Sequence, residues 1–102
     1  MSYKVFWTSE AEATFNQNIL YLEYQWTEAV IENFIQKTEE AINTISANPL
    51  LYPLVNKKKG IHKCLVVKQV SLYYKVVENR IYLITFWNNF QGPEKLKNLP
   101  LL

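Results

Sequence analysis

From Tyr3 to Trp7 apolar and polar residues alternate among good β-formers, which predicts a short first strand. Ser9, Glu10, Ala11 and Glu12 then have the form of a capping box, in which Ser9 accepts from the amide three residues on and Glu12 reaches back. A helix is predicted to start there. Its apolar positions Ala11, Phe15, Ile19, Leu22 and Trp26 share one face, with Glu12, Asn16 and Glu23 on the other. Thr27 is placed to cap a second helix, with Glu28 in the favourable first turn. Ile31, Phe34, Ile35, Ala41, Ile42 and Ile45 continue a helical stripe until Asn48, which precedes Pro49 and is biased out of the α region. With almost no loop between them, the two helices should form an antiparallel hairpin.

The stretch from 49 to 60 reads as a connector with two prolines, Tyr52 and the run Lys57, Lys58, Lys59 before Gly60. Ile61 to Val67, Leu72 to Val77 and Ile81 to Trp87 follow as three strands. Glu78 and Asn79 are predicted to make the last tight turn, with Asn79 taking positive φ. That register sets Val77 opposite Arg80, Lys75 opposite Tyr82 and Tyr73 opposite Ile84. One sheet face then carries Leu72, Tyr74, Val76, Ile81, Leu83 and Thr85, and the other Ser71, Tyr73, Lys75, Arg80, Tyr82 and Phe86. The first is the better core, so the helices should cover it and leave the tyrosines and cations open. The expected class is α+β: an N-terminal strand and an antiparallel helical hairpin packed on a mainly antiparallel four-stranded sheet.

A chain of 102 residues fits one domain, able to bury somewhat over ~60 % of its unfolded surface. Its 49 % apolar content with two glycines and four prolines excludes the disordered and fibrous classes. Cys64 is the single cysteine, which rules out an intrachain disulfide or a CxxC knuckle and reads as a small buried hydrophobe. Trp26 and Trp87 read as core or helix–sheet contacts. There is no apolar signal core and no run near the ~18 apolar residues of a membrane span. A soluble, cytoplasmic protein is expected, with no membrane partner, no metal and no cofactor. Charge changes this picture more than composition does. Up to Asn56, Lys4 and Lys37 stand against seven glutamates, and from Lys57 onward nine Lys/Arg stand against Glu78 and Glu94, which sum to the net +2. The second half is thus a candidate surface for a polyanion.

The order strand, helical hairpin, basic Pro-containing loop and three-stranded meander, with YKVFWTSEAEATF, NPLLYP, VSLYYKV and ITFWNNFQGPEKL in place, resembles the RelE/ParE superfamily of type II toxin–antitoxin toxins, the plasmid stabilization proteins. The last segment is similar to FWDNRQDPxKL of one branch. The resemblance implies a toxin that arrests growth and is held inactive by a cognate antitoxin. RelE-like members bind the ribosome and cleave mRNA, whereas ParE-like members block DNA gyrase. A homodimer is a further possibility.

Metal-free RNA cleavage needs a base for the 2′-OH, cations against the charge growing on phosphorus, and an acid for the leaving oxygen. On the positions the resemblance points to, the chain offers His62, Lys63, Lys68 and Arg80 as catalytic candidates. Lys57, Lys58, Lys59, Tyr73, Lys75 and Tyr82 are the candidates for nucleic-acid binding, the lysines for phosphates and the tyrosines for stacking on bases. His62 titrates near neutrality, yet a lone strand-end histidine also reads as a surface residue. The lysine run also reads as a solvated loop, and the tyrosines as cross-strand packing. Ser71 stands where RelE-like cleavers carry arginine, and Asn88, Phe90 and Gly92 stand where the branch pattern has Asp, Arg and Asp. Neither Ser nor Phe makes a bidentate phosphate contact. Three readings therefore stay open: a ribosome- and mRNA-binding toxin with weak cleavage, a gyrase inhibitor, and a decayed toxin that only binds its antitoxin.

Overall fold

The computed structural model describes residues 3–25 and 27–90, including side chains except those of 22–25. The readings of Leu22, Glu23, Trp26 and Gly92 lie outside what is described. The elements run β1 (Lys4–Trp7), α1 (Ser9–Gln25), α2 (Glu28–Ala47), β2 (Leu54–Asn56), β3 (Ile61–Val67), β4 (Val70–Val77) and β5 (Arg80–Asn88). The sheet order is β1-β5-β4-β3-β2, with β1 parallel to β5 and every other pair antiparallel. The α+β class and the helical pair on a mainly antiparallel sheet are as the sequence predicts, but the sheet has five strands rather than four. The extra strand, β2, lies in the connector. Its three residues are too few to show a period-two pattern, and it follows directly on Pro53, whose carbonyl accepts from the Lys63 amide at 3.0 Å.

Thr8, not Ser9, opens α1. The Thr8 hydroxyl accepts from the Ala11 amide at 3.1 Å and donates to the Leu83 carbonyl at 2.7 Å, so one side chain caps the helix and ties it to β5. Thr27 does sit at the N-cap of α2 in extended backbone, without a side-chain cap bond, and the helix stops before Asn48. The chain is then back beside β1. There the Tyr3 amide donates to the Ser46 carbonyl at 3.0 Å, and Ser46 Oγ donates to the Tyr3 carbonyl at 3.0 Å.

The core between helices and sheet is aromatic. Phe15 stacks on Phe34 at 5.3 Å between ring centroids and meets Phe86 at 5.2 Å and Trp7 at 5.4 Å. Full burial of Phe34 and of Phe86 contributes roughly 1.5–3 kcal/mol each. Simple alternation puts Phe86 on the other face, and the structure corrects this. The ladder shifts register between Tyr73 and Tyr74, so that Tyr73 pairs with Thr85 and not Ile84. This β-bulge adds one residue to β5 and reverses the inward–outward phase beyond it: Ile84 stays outward beside Tyr73, as alternation predicts, and Phe86 turns inward to the helices. Below the bulge the expected pairs Val77–Arg80 and Lys75–Tyr82 hold.

Among the described residues, the edge of β5 has no neighbouring strand beyond Trp7. At Phe86 two α1 side chains take that strand's place: Thr14 Oγ1 accepts from the Phe86 amide at 2.9 Å, and Asn18 Nδ2 donates to its carbonyl at 2.9 Å. An open edge is thereby satisfied and closed to pairing at that residue. In the β4–β5 turn the positive φ falls on Glu78, at 56°, and not on Asn79.

Candidate nucleic-acid interface

Strand pairing places residues in rows across the outer face of the sheet, since directly paired residues point the same way. The first row is Lys4, Arg80 and Val77; the second is Phe6, Tyr82, Lys75 and Ile61. Tyr73 and Lys63 form the third, and Trp87, Ser71 and Leu65 the fourth. Phe6 stacks on Tyr82 with centroids 5.5 Å apart, and Lys63 Nζ stands 6.0 Å from the centre of the Tyr73 ring. A shallow groove of about 260 Å³ is lined by Thr8, Lys75, Val77, Tyr82 and Ile84.

Charge is divided by layer. The two helices carry seven glutamates, Glu10, Glu12, Glu23, Glu28, Glu32, Glu39 and Glu40, against Lys37. The five strands carry Lys4, Lys63, Lys75 and Arg80 and no carboxylate at all. The split seen along the sequence is thus a split between two faces of one small body, with the positive potential on the side that the helices leave bare.

Of the binding candidates, Tyr73, Lys75 and Tyr82 occupy adjacent rows of this face, but Tyr73 is only 6 % exposed, packed with Ile61 and Ile84, so it is not open to a base as the sequence suggests. Lys57, Lys58 and Lys59 are exposed in the turn that delivers Ile61 opposite Lys75, at the same end of the sheet as Arg80. Gly60 closes that turn at φ 68°, which glycine enters without the steric cost borne by other residues. The catalytic candidates are not brought together. Lys63 is central, but Lys68 lies in the β3–β4 turn and Arg80 at the far end of β4. The eight residues of β4 separate them, roughly 23 Å of extended chain. His62 is on the other side of the sheet. It is 7 % exposed, stacks on Tyr74 at 5.1 Å and 10°, and its Nδ1 lies 2.9 Å from the Tyr52 carbonyl. Because a carbonyl only accepts, Nδ1 carries the proton.

The face is consequently rich in donors and poor in proton acceptors. Lysine and arginine side chains donate and do not accept. Burial pushes the Tyr73 phenol above its usual range, which keeps its proton in place. Ser71, which the family resemblance sets against an arginine, is fully buried and donates to Asn89 Oδ1 at 2.9 Å, whereas Phe90 is 64 % exposed. Among the described residues no three His, Cys, Asp or Glu side chains are gathered as a metal site requires, and no helix is long and apolar enough to cross a membrane.

Sequence reasoning missed Lys4 and Phe6 as members of this face. The alternation Lys4-Val5-Phe6 carries the signal, but only the parallel pairing with β5 shows which side it serves.

No family model matches the chain, and no curated protein matches its sequence. Solved structures do match its fold. The chromosomal ParDE toxin–antitoxin system of P. aeruginosa aligns with a TM-score of 0.71 at 11 % identity, over 85 % of this chain and 96 % of that one. The RelBE2 toxin–antitoxin complex of Mycobacterium tuberculosis aligns at 0.60 and 15 %, over 87 % and 100 %. The YoeB dimer of Staphylococcus aureus aligns at 0.59 and 14 %, over 88 % and 100 %. The chain has the fold of the RelE/ParE toxins.

Proposed function

We propose that this protein is the toxin of a type II toxin–antitoxin module, acting in the cytoplasm by holding RNA on the ribosome through the basic sheet face, with little or no cleavage. The observation that carries the reading is the outer face itself, where Lys63, Lys75 and Arg80 stand among tyrosines with no carboxylate on any strand. Phosphates meet cations there, and bases meet Tyr82 and Phe6, whereas Tyr73 is buried among Ile61 and Ile84. Cleavage asks for more: a base and an acid flanking one phosphate. Lys68 and Arg80 are far apart and His62 faces the helices, so general acid–base chemistry has few groups to work with. A cognate antitoxin would neutralise the toxin by covering the same cations. Pairing of two toxin copies is a further expectation, in keeping with the YoeB dimer among the neighbours.

Induction in growing cells tests this. The expected result is growth arrest and reduced protein synthesis with reporter mRNA largely intact, relieved by co-expression of the adjacent gene's product. Unimpaired growth contradicts the toxin reading, and rapid mRNA loss contradicts the binding-only mechanism. Gyrase inhibition is the second reading, favoured by the higher TM-score with the ParDE system than with RelBE2 or YoeB. Impaired supercoiling by purified protein, with translation unaffected, would select it.

A further inference from the structure

Between α1 and the part of β5 that lies beyond β1 runs a half-open groove of about 330 Å³. Glu10, Gln17, Asn18 and Tyr21 line it from the helix and Trp87 and Asn88 from the strand, and among the described residues no lysine or arginine lines it. Asn18 is only 5 % exposed. Both hydrogens of its amide are in use, one on the Thr14 carbonyl at 2.8 Å and one on the Phe86 carbonyl at 2.9 Å. The orientation of the amide is therefore fixed, and its Oδ1 has no donor among the described residues. It is not sealed from solvent either, so this acceptor opens on the groove. Asn88 Oδ1 is already taken by the Phe90 amide, and its NH₂ has no partner among the described residues. The Glu10 carboxylate is paired with no cation among the described residues.

We infer that this groove receives an arginine side chain of a protein partner. A guanidinium offers donors only, in a planar fork that also lies well against aromatic rings. The groove offers the complement: the fixed acceptor of Asn18, the carboxylate of Glu10, and the ring of Tyr21, while the Trp87 side chain packs on the outer face and lends the groove its edge only. A nucleotide is disfavoured here, because its phosphate would meet no cation among the described lining residues and would lie beside a helical layer with seven glutamates and one lysine. The same negative layer draws a basic segment towards the groove. The site is on the helical side and goes beyond the reading of the sheet face, so the partner and an RNA strand occupy different surfaces.

Titration of the ¹⁵N-labelled full chain with a capped Ser-Arg-Ser peptide, its citrulline counterpart and guanosine monophosphate tests the inference. The arginine peptide is expected to shift the backbone amides of α1 and of Asn88 saturably. Citrulline is expected to bind about tenfold more weakly, the scale of one charge-assisted hydrogen bond. Glu10→Gln and Tyr21→Ala alter exposed or half-exposed side chains, and each should weaken the arginine peptide several-fold while leaving the melting temperature nearly unchanged. RNA affinity of the sheet face should survive both. Equal binding of citrulline, indifference to Glu10→Gln, shifts from the nucleotide in place of the peptide, or no saturable shift at millimolar peptide overturns the proposal. None of these results bears on RNA binding by the outer face.

Discussion

His62 lies flat against Tyr74, with ring centroids 5.1 Å apart, on the face of the sheet opposite the neighbouring Lys63. A residue proposed as a catalytic candidate is thereby spent on packing. Strand alternation alone forces this outcome, since His62 and Lys63 are consecutive in β3 and must point to opposite sides. Replacing His62 by alanine removes a stacked ring and the bond to the Tyr52 carbonyl. Stability should fall by about 1–3 kcal/mol, from an aromatic pair and one hydrogen bond. Urea unfolding measures this, and RNA affinity at a temperature where the variant is folded should not change.

Ser71→Arg introduces the arginine that the family resemblance implies at this position, yet it should disable the protein rather than arm it. Ser71 has no exposed surface and is bonded to Asn89. A guanidinium forced in there meets both overpacking and the desolvation of an unpaired charge, on the order of 3 kcal/mol or more. The expected result is a lower urea midpoint and no new RNA cleavage; a stable variant that cuts RNA contradicts this placement.

Much of the fold is legible in the sequence, and the failures have physical causes. Helix stripes such as Ala11, Phe15 and Ile19 point to one face because 3.6-residue periodicity is set locally. The register Val77–Arg80 is legible for the same reason, as it depends on a two-residue turn alone. Alternation assigns Phe86 to the wrong face because a bulge, caused by no single residue type, inverts the phase beyond it. The charged face can be anticipated from Lys75, Arg80 and Tyr82, but not from Lys4 and Phe6, whose place depends on a partner strand some 76 residues away in sequence. Asn18 carries no sequence signal of its bond to Phe86. That role emerges only when α1 is laid along the bare edge of β5.

Glu78 holds φ at 56° in the two-residue turn, a conformation costly for any side chain with a Cβ. It is the first of the two turn residues and the one with positive φ, a position suited to glycine. Glu78→Gly should raise stability by roughly 0.5–1 kcal/mol, the relief of strain outweighing the greater freedom of the unfolded chain. Thermal or urea unfolding would show it, and a loss of stability would mean that the carboxylate makes a compensating contact.

Burial raises the proton affinity of Tyr52, Cys64, Tyr73 and Tyr74, in each case as the largest cause. The folded chain therefore keeps these protons to higher pH than the unfolded chain does. From about pH 8.5, where unfolded thiols begin to ionise, through about pH 10 for phenols, the unfolded state binds fewer protons and stability falls as pH rises. The urea midpoint should be lower at about pH 10 than at about pH 8, and Tyr74→Phe should flatten the decline while removing its bond to the Pro49 carbonyl. A midpoint that holds steady or rises over this range contradicts the burial of these groups.

Lys63 and Lys75 sit in neighbouring rows of a face without carboxylates, and the direct test of their role is the salt dependence of binding to a labelled single-stranded RNA. For each phosphate that a lysine no longer neutralises, the slope of log affinity against log salt should shrink by about 0.7. The Lys63→Ala, Lys75→Ala double variant should therefore bind more weakly at low salt and show a slope smaller by about 1.4 than the unaltered protein. An unchanged slope and affinity would contradict RNA binding through the sheet face.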